Sequence, residues 1–231
     1  MRTVYWLSQR AADVPAGSGW LSAAERSREA ALRVPKRRAD WRLGRWTAKR
    51  ALVRLRARGG EEGGQSELAR VEVRPTAAGV PEAFWDGEPA PWSLSISHSD
   101  GRSLVALGAA GRAVGCDIEA VASRSAAFQE ESFSDAEREA IAASEAPEVL
   151  STLFWSAKES LMKALGEGLR LPLQSLAIEP IGESRAASTW RTLQAVERRS
   201  GRRFLGYWRR DGGSVLTIVG EAAFDEPVGL S

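Results

Sequence analysis

The chain contains Val114-Gly115-Cys116-Asp117-Ile118-Glu119, a stretch that predicts a buried β-strand with two carboxylates on one side. Side chains alternate along a strand, so Asp117 and Glu119 project together while Cys116 and Ile118 face the other way. A solvated strand face is the ordinary explanation for an acidic pair. The apolar neighbours favour burial instead, where two adjacent like charges are costly without a cation.

A third carboxylate, Glu159, lies in Trp155-Ser156-Ala157-Lys158-Glu159-Ser160, within a helix that the sequence predicts from about 151 to 165. An ordinary i,i+4 ion pair with Lys163, worth roughly 0.3–0.5 kcal/mol, would explain an isolated glutamate. Glu159 shares a helical face with Trp155 and Met162, however, so we expect it to point inward. With Asp117 and Glu119 it would form an all-oxygen site that suits Mg2+, an ion that often takes further ligands from a phosphate.

Composition indicates an ordinary globular protein of 231 residues, 43% hydrophobic and 27% charged, with a net charge of +2. The single cysteine, Cys116, excludes an internal disulfide, and no apolar run resembles a signal peptide or a membrane span. We therefore expect a cytoplasmic protein without a membrane partner.

Basic residues crowd the segment 26–58, and four of them recur at helical spacing: Arg38, Arg42, Arg45 and Lys49. A solvated helix face is the plain alternative, although such a face normally mixes both charge signs. The stripe would suit a phosphate or an acidic protein equally well. The glycine-rich run 59–64 lacks the flanking pattern of a nucleotide-binding loop, and we give it no phosphate role.

An internal similarity indicates two related halves that meet near residues 108–112. The stretch 46–52, Trp-Thr-Ala-Lys-Arg-Ala-Leu, parallels 155–161, Trp-Ser-Ala-Lys-Glu-Ser-Leu, although coincidence would explain so short a match equally well. We accordingly expect an N-terminal half over 1–110 that is basic and a C-terminal half over 111–231 that binds metal. Strands are predicted near 71–73, 93–97, 103–107, 113–119, 176–178, 203–208 and 214–219.

The motifs together resemble the Sfp-type 4′-phosphopantetheinyl transferases, which activate carrier proteins of fatty-acid, polyketide and nonribosomal peptide synthesis. Four stretches occur in the family's order and cover most of the chain: the Ser-His strand end at 94–99, the Gly-x-Asp-x-Glu strand at 114–119, Phe-Ser-x-x-Glu at 133–137 and Trp-x-x-Lys-Glu-x-x-x-Lys at 155–163. In the third, Ser134 and Glu137 also form the pattern of a helix capping box.

The resemblance implies an α+β fold, a pseudo-dimer of two similar halves with the active site in the cleft between them. It implies a monomer that does not bind nucleic acid, uses coenzyme A as donor, requires Mg2+ and modifies a serine of an acyl or peptidyl carrier protein. The implied magnesium ligands are Asp117, Glu119 and Glu159, and the implied coenzyme A contacts are Arg38, Arg45, Ser97, His98, Asp117, Lys158 and Lys163. Glu159, directly or through a metal-bound water, is the implied base, and Lys163 the implied partner of the pyrophosphate.

One departure concerns the Gly-Lys-Pro that the family commonly has, because this chain reads Gly79-Val80-Pro81. Either another basic residue supplies the missing charge or coenzyme A binds more weakly. A different class also stays open, namely a non-catalytic protein that keeps the fold and binds RNA or an acidic partner through its basic stripe.

Overall fold

The computed structural model describes residues 3–57, 64–166, 171–181 and 189–230, which form an α+β fold built on two β-sheets. The first sheet has the spatial order β11 (Val228–Gly229), β1 (Tyr5–Arg10), β5 (Arg102–Ala109), β4 (Glu88–Ser99), β3 (Pro81–Trp85) and β2 (Val71–Pro75). Only β11 runs parallel to its neighbour among these pairs. The expected fold class is confirmed.

The second sheet is antiparallel throughout, and β6 lies at its edge. Its order is β6 (Val114–Ala120), β10 (Ser214–Gly220), β9 (Arg202–Asp211), β8 (Arg191–Glu197) and β7 (Leu176–Ile181). The helices are α1 (Ala23–Ala31), α2 (Pro35–Ala57), α3 (Gln65–Arg70), α4 (Ala126–Ser132), α5 (Asp135–Ala142) and α6 (Pro147–Leu165). Pro35 begins α2, in the first-turn position where a missing N–H is tolerated.

Three apolar clusters hold the elements in four layers. Leu52 of α2 packs against the first sheet, Leu161 of α6 packs against the second, and Leu104 and Ile118 belong to a cluster between the two sheets. The chain thus stacks helix, sheet, sheet and helix, and every sheet face buries apolar side chains. This packing brings β6 of the second sheet beside β4 of the first.

The expected strands and the capping box are present, with differences at the edges of the sheets. Ser134 accepts from the backbone of Glu137, whose carboxylate accepts from the backbone of Ser134. Four strands were not expected, namely β1, β3, β8 and β11. Gly166 ends α6 in the left-handed conformation, whereas the glycine-rich run 59–64 lies outside the described residues except for Gly64.

Within the described ranges, no helix is long and apolar enough to cross a membrane.

Candidate active site

The close approach of α6 to β6 depends on Gly115. A β-carbon at this position would overlap the backbone oxygen of Ser160 and lie 2.7 Å from the backbone nitrogen of Ala164. The helix therefore lies directly on the strand. The side chains on the face of α6 that packs against β6 come within reach of the carboxylates of the strand. Cys116, on the opposite side of β6, belongs to the cluster between the sheets, as the alternation predicted.

Asp117 forms the centre of the site, together with Ser97 of β4 and Lys163 of α6. Its Oδ1 accepts from Ser97 Oγ at 2.6 Å and from Lys163 Nζ at 2.7 Å, and Lys163 also donates to Ser97 Oγ at 3.0 Å. Asp117 is only 2% exposed, and its Oδ2 is buried without a hydrogen-bond partner. A buried carboxylate oxygen without a donor is unfavourable unless a ligand reaches it.

Glu119 lies one strand repeat further along the same face of β6. Its Oε1 accepts from Trp155 Nε1 and its Oε2 from Ser99 Oγ, each at 3.3 Å. Burial and the charge of Asp117 raise the pKa of this carboxyl, against the lowering effect of those hydrogen bonds. The environment therefore disfavours the charged form of Glu119 relative to water, and a bound cation would oppose this effect.

Glu159 and Lys163 are one helical turn apart on α6, but Lys163 pairs with Asp117. Burial raises the pKa of Glu159, and the charges of Asp117 and Glu119 raise it further, while Lys163 lowers it. Burial alone would lower the pKa of Lys163, but Asp117 and Glu159 outweigh it and raise that pKa above its ordinary value. Lys163 is thus held in the ammonium form among the carboxylates.

The donor chemistry suits a hard divalent cation, since Asp117, Glu119 and Glu159 supply only oxygens, repel one another and leave one buried oxygen without a partner. Their arrangement is looser than a finished site: no cluster of three or more His, Cys, Asp or Glu side chains in the described ranges is close enough to hold a metal. Lys163 and Ser97 occupy Oδ1 of Asp117, whereas Oδ2 has no partner among the described residues. The three carboxylates as magnesium ligands stay a prediction.

Lys158 does not join these residues. Its side chain is 0% exposed, and Nζ donates to Glu137 at 2.7 Å and to the carbonyls of Ser132 and Leu173. A lysine with three buried acceptors has no donor directed to the site, so these contacts do not favour the expected coenzyme A contact of Lys158, which stays a prediction. The motif gave Lys158 a place beside Glu159, but neighbours in a helix do not share a face.

The basic stripe of α2 separates into structural and pocket-lining residues. Lys49 is 0% exposed and pairs with Glu25. Arg42 binds Glu29 and three carbonyls of the segment 15–17, and Arg38 also pairs with Glu29. Arg45 lines a pocket, whereas the other three side chains of the stripe pair with glutamates in the described part of the chain.

The pocket that Arg45 lines has a volume of about 570 Å³ and also includes His98. We call it the nucleotide-sized pocket. Lys36 and Arg37, which the spacing argument missed, line it too, and Gly79 and Pro81 flank Val80 at its rim. Loss of hydration at the pocket wall lowers the pKa of His98, although Asp40 opposes this. Lys36 and Arg37 could have been found from the sequence by their position in the first turn of α2.

Arg124 also escaped the sequence reasoning. It lies between β6 and α4, with its guanidinium 4.8 Å from the ring centre of Phe128 and 5.5 Å from that of Trp155. No spacing rule connects a loop arginine to a helix thirty residues later, so only the fold reveals this contact.

Cys116 has an unreactive thiol, because burial raises the pKa of this thiol to about 11.

We compared the chain with known protein sequences, solved structures and family models. No curated protein sequence matches the chain. Among solved structures, the chain matches the holo-[acyl-carrier-protein] synthase of Thermotoga maritima at 17% identity with a TM-score of 0.33, over 47% of this chain and 61% of the other. Residues 113–213, which include Asp117, Glu119, Glu159 and Lys163, match the family model of the 4′-phosphopantetheinyl transferase superfamily.

Proposed function

We propose that the protein is an Sfp-type 4′-phosphopantetheinyl transferase. It would move phosphopantetheine from coenzyme A to a serine of an acyl or peptidyl carrier protein, such as those of fatty-acid, polyketide or nonribosomal peptide synthesis, and release adenosine 3′,5′-bisphosphate. The observation that carries the proposal is the buried group of Asp117, Ser97 and Lys163 where β6, β4 and α6 meet; Asp117 and Lys163 of this group lie within the segment that matches the transferase superfamily.

The nucleotide-sized pocket supports coenzyme A as the donor. Lys36, Arg37 and Arg45 line it beside His98, and positively charged side chains such as these three are the usual partners of phosphates. A second pocket, about 200 Å³, shares Gly79 and Pro81 with the first and reaches Lys163. A nucleotide in the first pocket would therefore have its pyrophosphate directed towards Lys163.

The proposed chemistry assigns separate work to Glu159 and Lys163. The raised pKa of Glu159 makes its carboxylate a stronger base, suited to accept the proton of the attacking serine; such help is worth roughly 10²–10⁴-fold. Lys163 stays protonated beside Asp117 and would neutralise charge on the leaving phosphate. Asp117 and Ser97 hold the Lys163 ammonium in place.

Asp117, Glu119 and Glu159 would hold Mg2+, which would supply charge neutralisation at the transferring phosphate when bound. The unpartnered Oδ2 of Asp117 is the oxygen best prepared for it. Cation binding would also relieve the repulsion that raises the pKa values of Glu119 and Glu159.

The test is mass spectrometry of a panel of apo carrier proteins incubated with the protein, coenzyme A and Mg2+. We expect the mass gain of one phosphopantetheine group on a serine, and its loss with Asp117→Ala or Glu119→Ala in folded protein. The exposed Asp86, paired with Arg70, provides the control variant Asp86→Ala, which should keep full activity. Near-normal turnover of both site variants at saturating Mg2+ would contradict the assignment.

A non-catalytic protein with this fold makes a different prediction. Ligands that bind only the folded state raise thermal stability by mass action. Coenzyme A with Mg2+ should therefore raise the melting temperature of the proposed transferase, whereas a binder of RNA or of an acidic partner would show no such rise.

A further inference from the structure

Arg124 is fixed at one end of the candidate site by aromatic side chains. The rings of Phe128 and Trp155 pack edge to face with centroids 4.9 Å apart, and the guanidinium of Arg124 lies against both. Trp155 itself is held by its hydrogen bond to Glu119. A stacked guanidinium has few orientations left, so Arg124 is already ordered before any ligand binds.

This cation has no acceptor in the described part of the chain. The Arg124 side chain forms no hydrogen bond or ion pair there, and its Nε is buried without a partner. Partial burial lowers its pKa, while the charges of Glu119 and Asp117 offset the effect. By contrast, Arg42 and Arg102, which are also partly buried, each pair with a carboxylate. A partly desolvated guanidinium without an acceptor is suited to an anionic ligand.

The position of Arg124 distinguishes it from the donor contacts. Trp155, on which it stacks, and Lys163 are eight residues apart on α6, a distance of about 12 Å along the helix, with Glu159 midway. The Lys163 end lines the pocket of about 200 Å³, which shares Gly79 and Pro81 with the nucleotide-sized pocket. In phosphoryl transfer the attacking and leaving oxygens lie roughly in line, so the acceptor approaches from the side opposite the leaving nucleotide. With the nucleotide beside Lys163, Arg124 would therefore lie at the acceptor end.

We propose that Arg124 is a docking residue for the acceptor protein, which it contacts through a carboxylate close to the serine that is modified. The inference rests on the proposed function and extends it to recognition of the partner. Basic residues of the enzyme would then divide into two groups: Lys36, Arg37 and Arg45 for the nucleotide, and Arg124 for an acidic segment of the carrier. Glu159, between the two groups, would meet the serine hydroxyl that Arg124 helps to place.

The experiment measures the Michaelis constants for carrier protein and for coenzyme A separately, with Arg124→Gln and Arg124→Lys. We expect Arg124→Gln to raise the constant for the carrier at least tenfold and to leave the constant for coenzyme A unchanged, since the lost contact belongs to the acceptor alone. Arg124→Lys keeps the charge and should give a smaller increase. Arg138→Gln is the matched control, because Arg138 pairs with Asp135 on α5 and should not affect either constant.

A second arm replaces acidic residues beside the carrier serine with their amides, one at a time. One of these replacements should weaken wild type but have little additional effect on Arg124→Gln, because the same contact is already lost. An unchanged carrier constant in Arg124→Gln would overturn the inference, and an increase confined to coenzyme A would make Arg124 a phosphate contact instead. Failure of wild type to modify any carrier would overturn the proposed function itself, and the docking role with it. Melting temperatures verify that each variant is folded.

Discussion

Each half of the molecule contains one buried lysine–glutamate pair, built in the same way. Glu25 and Glu137 each follow a serine N-cap by three residues, and each pairs with a fully buried lysine, Lys49 of α2 or Lys158 of α6. Each glutamate also accepts from a strand N–H through Oε1, that of Val73 or Ile178. Each lysine donates to two further carbonyls, those of Trp20 and Leu68 or of Ser132 and Leu173.

The two halves differ at the residue that follows each lysine. Arg50 follows Lys49, whereas Glu159 follows Lys158 and faces the carboxylates of β6. The comparison teaches that the buried pair belongs to the scaffold, which orients a helix on its sheet in both halves. The proposed base and metal ligands lie in the second half only, and predictions can test the structural and chemical roles separately.

The largest effect is expected from the two pairs themselves. Lys49→Met and Lys158→Met each leave a buried glutamate without its counter-ion, which costs about 3–5 kcal/mol. Urea denaturation should show losses of similar size for both variants. Lys36→Met removes an exposed pair with Asp40 and should cost less than about 1 kcal/mol. A large loss in one half only would mean that the two pairs are not equivalent.

Substitutions of Gly115 and Gly44 test how closely the helix approaches the strand in each half. Gly115→Ala drives a methyl group into the backbone of α6 and should lower the free energy of unfolding by about 3 kcal/mol, with the site displaced. Gly44→Ala on α2 meets only the side chain of Ile96 at 3.2 Å and gains helix propensity, so we expect a change within about 1 kcal/mol. Equal losses, measured by chemical denaturation, would contradict this difference between the halves.

Sequence reasoning found what alternation and helical period encode. The faces of β6, the capping box at Ser134 and the inward side of Glu159 follow from local geometry, and each is present. Sequence reasoning failed for charged residues whose burial depends on distant segments of the chain. Lys49 and Lys158 look like available cations in the sequence, yet both are buried, because their acceptors come from segments 15 to 29 residues away.

The third prediction separates two arginines of α2 that the sequence treats alike. Arg45 lines the nucleotide-sized pocket, whereas Arg38 pairs with Glu29. Arg45→Ala should raise the Michaelis constant for coenzyme A about 10–100-fold, the range for loss of one charge-assisted hydrogen bond. Arg38→Ala should leave it within about threefold of the wild-type value, with surface exposure limiting its energetic role. A stronger effect from Arg38 would place the nucleotide elsewhere.

A pH experiment on metal-free protein tests the excess negative charge of the second half. The pKa of Glu159 is raised in the folded state, so its stabilising contribution is present at low pH and is lost as pH rises through the raised value. Glu159→Gln should therefore melt a few degrees higher than wild type at pH 7, and the difference should vanish below pH 4.5, the ordinary pKa of a glutamate.

Asp211→Asn supplies the opposite case for the same measurement. Its hydrogen bond to Arg102 lowers the pKa of Asp211, so the charged form stabilises the fold at pH 7 and neutralisation should lower the melting temperature. Two variants that shift in the same direction would contradict the assignment of repulsion to Glu159. Mg2+ should then stabilise wild type more than Glu159→Gln, because only wild type keeps all three carboxylates.

The smallest effect is expected at Val80, where the transferases that the motifs resemble commonly have a lysine and this chain has none. The pocket beside it already contains Lys36, Arg37 and Arg45 from α2, so the first half supplies positive charge without residue 80. Val80→Lys would add a cation beside these three, and their repulsion would offset any new phosphate contact. We therefore expect coenzyme A to bind equally well or up to about threefold more weakly, with the maximal rate unchanged because the same phosphate is present in ground and transition states. Titration of coenzyme A against both proteins measures this directly. Affinity that rises tenfold or more would show that no other residue replaces the lysine, and that the cations of α2 bind another part of the nucleotide.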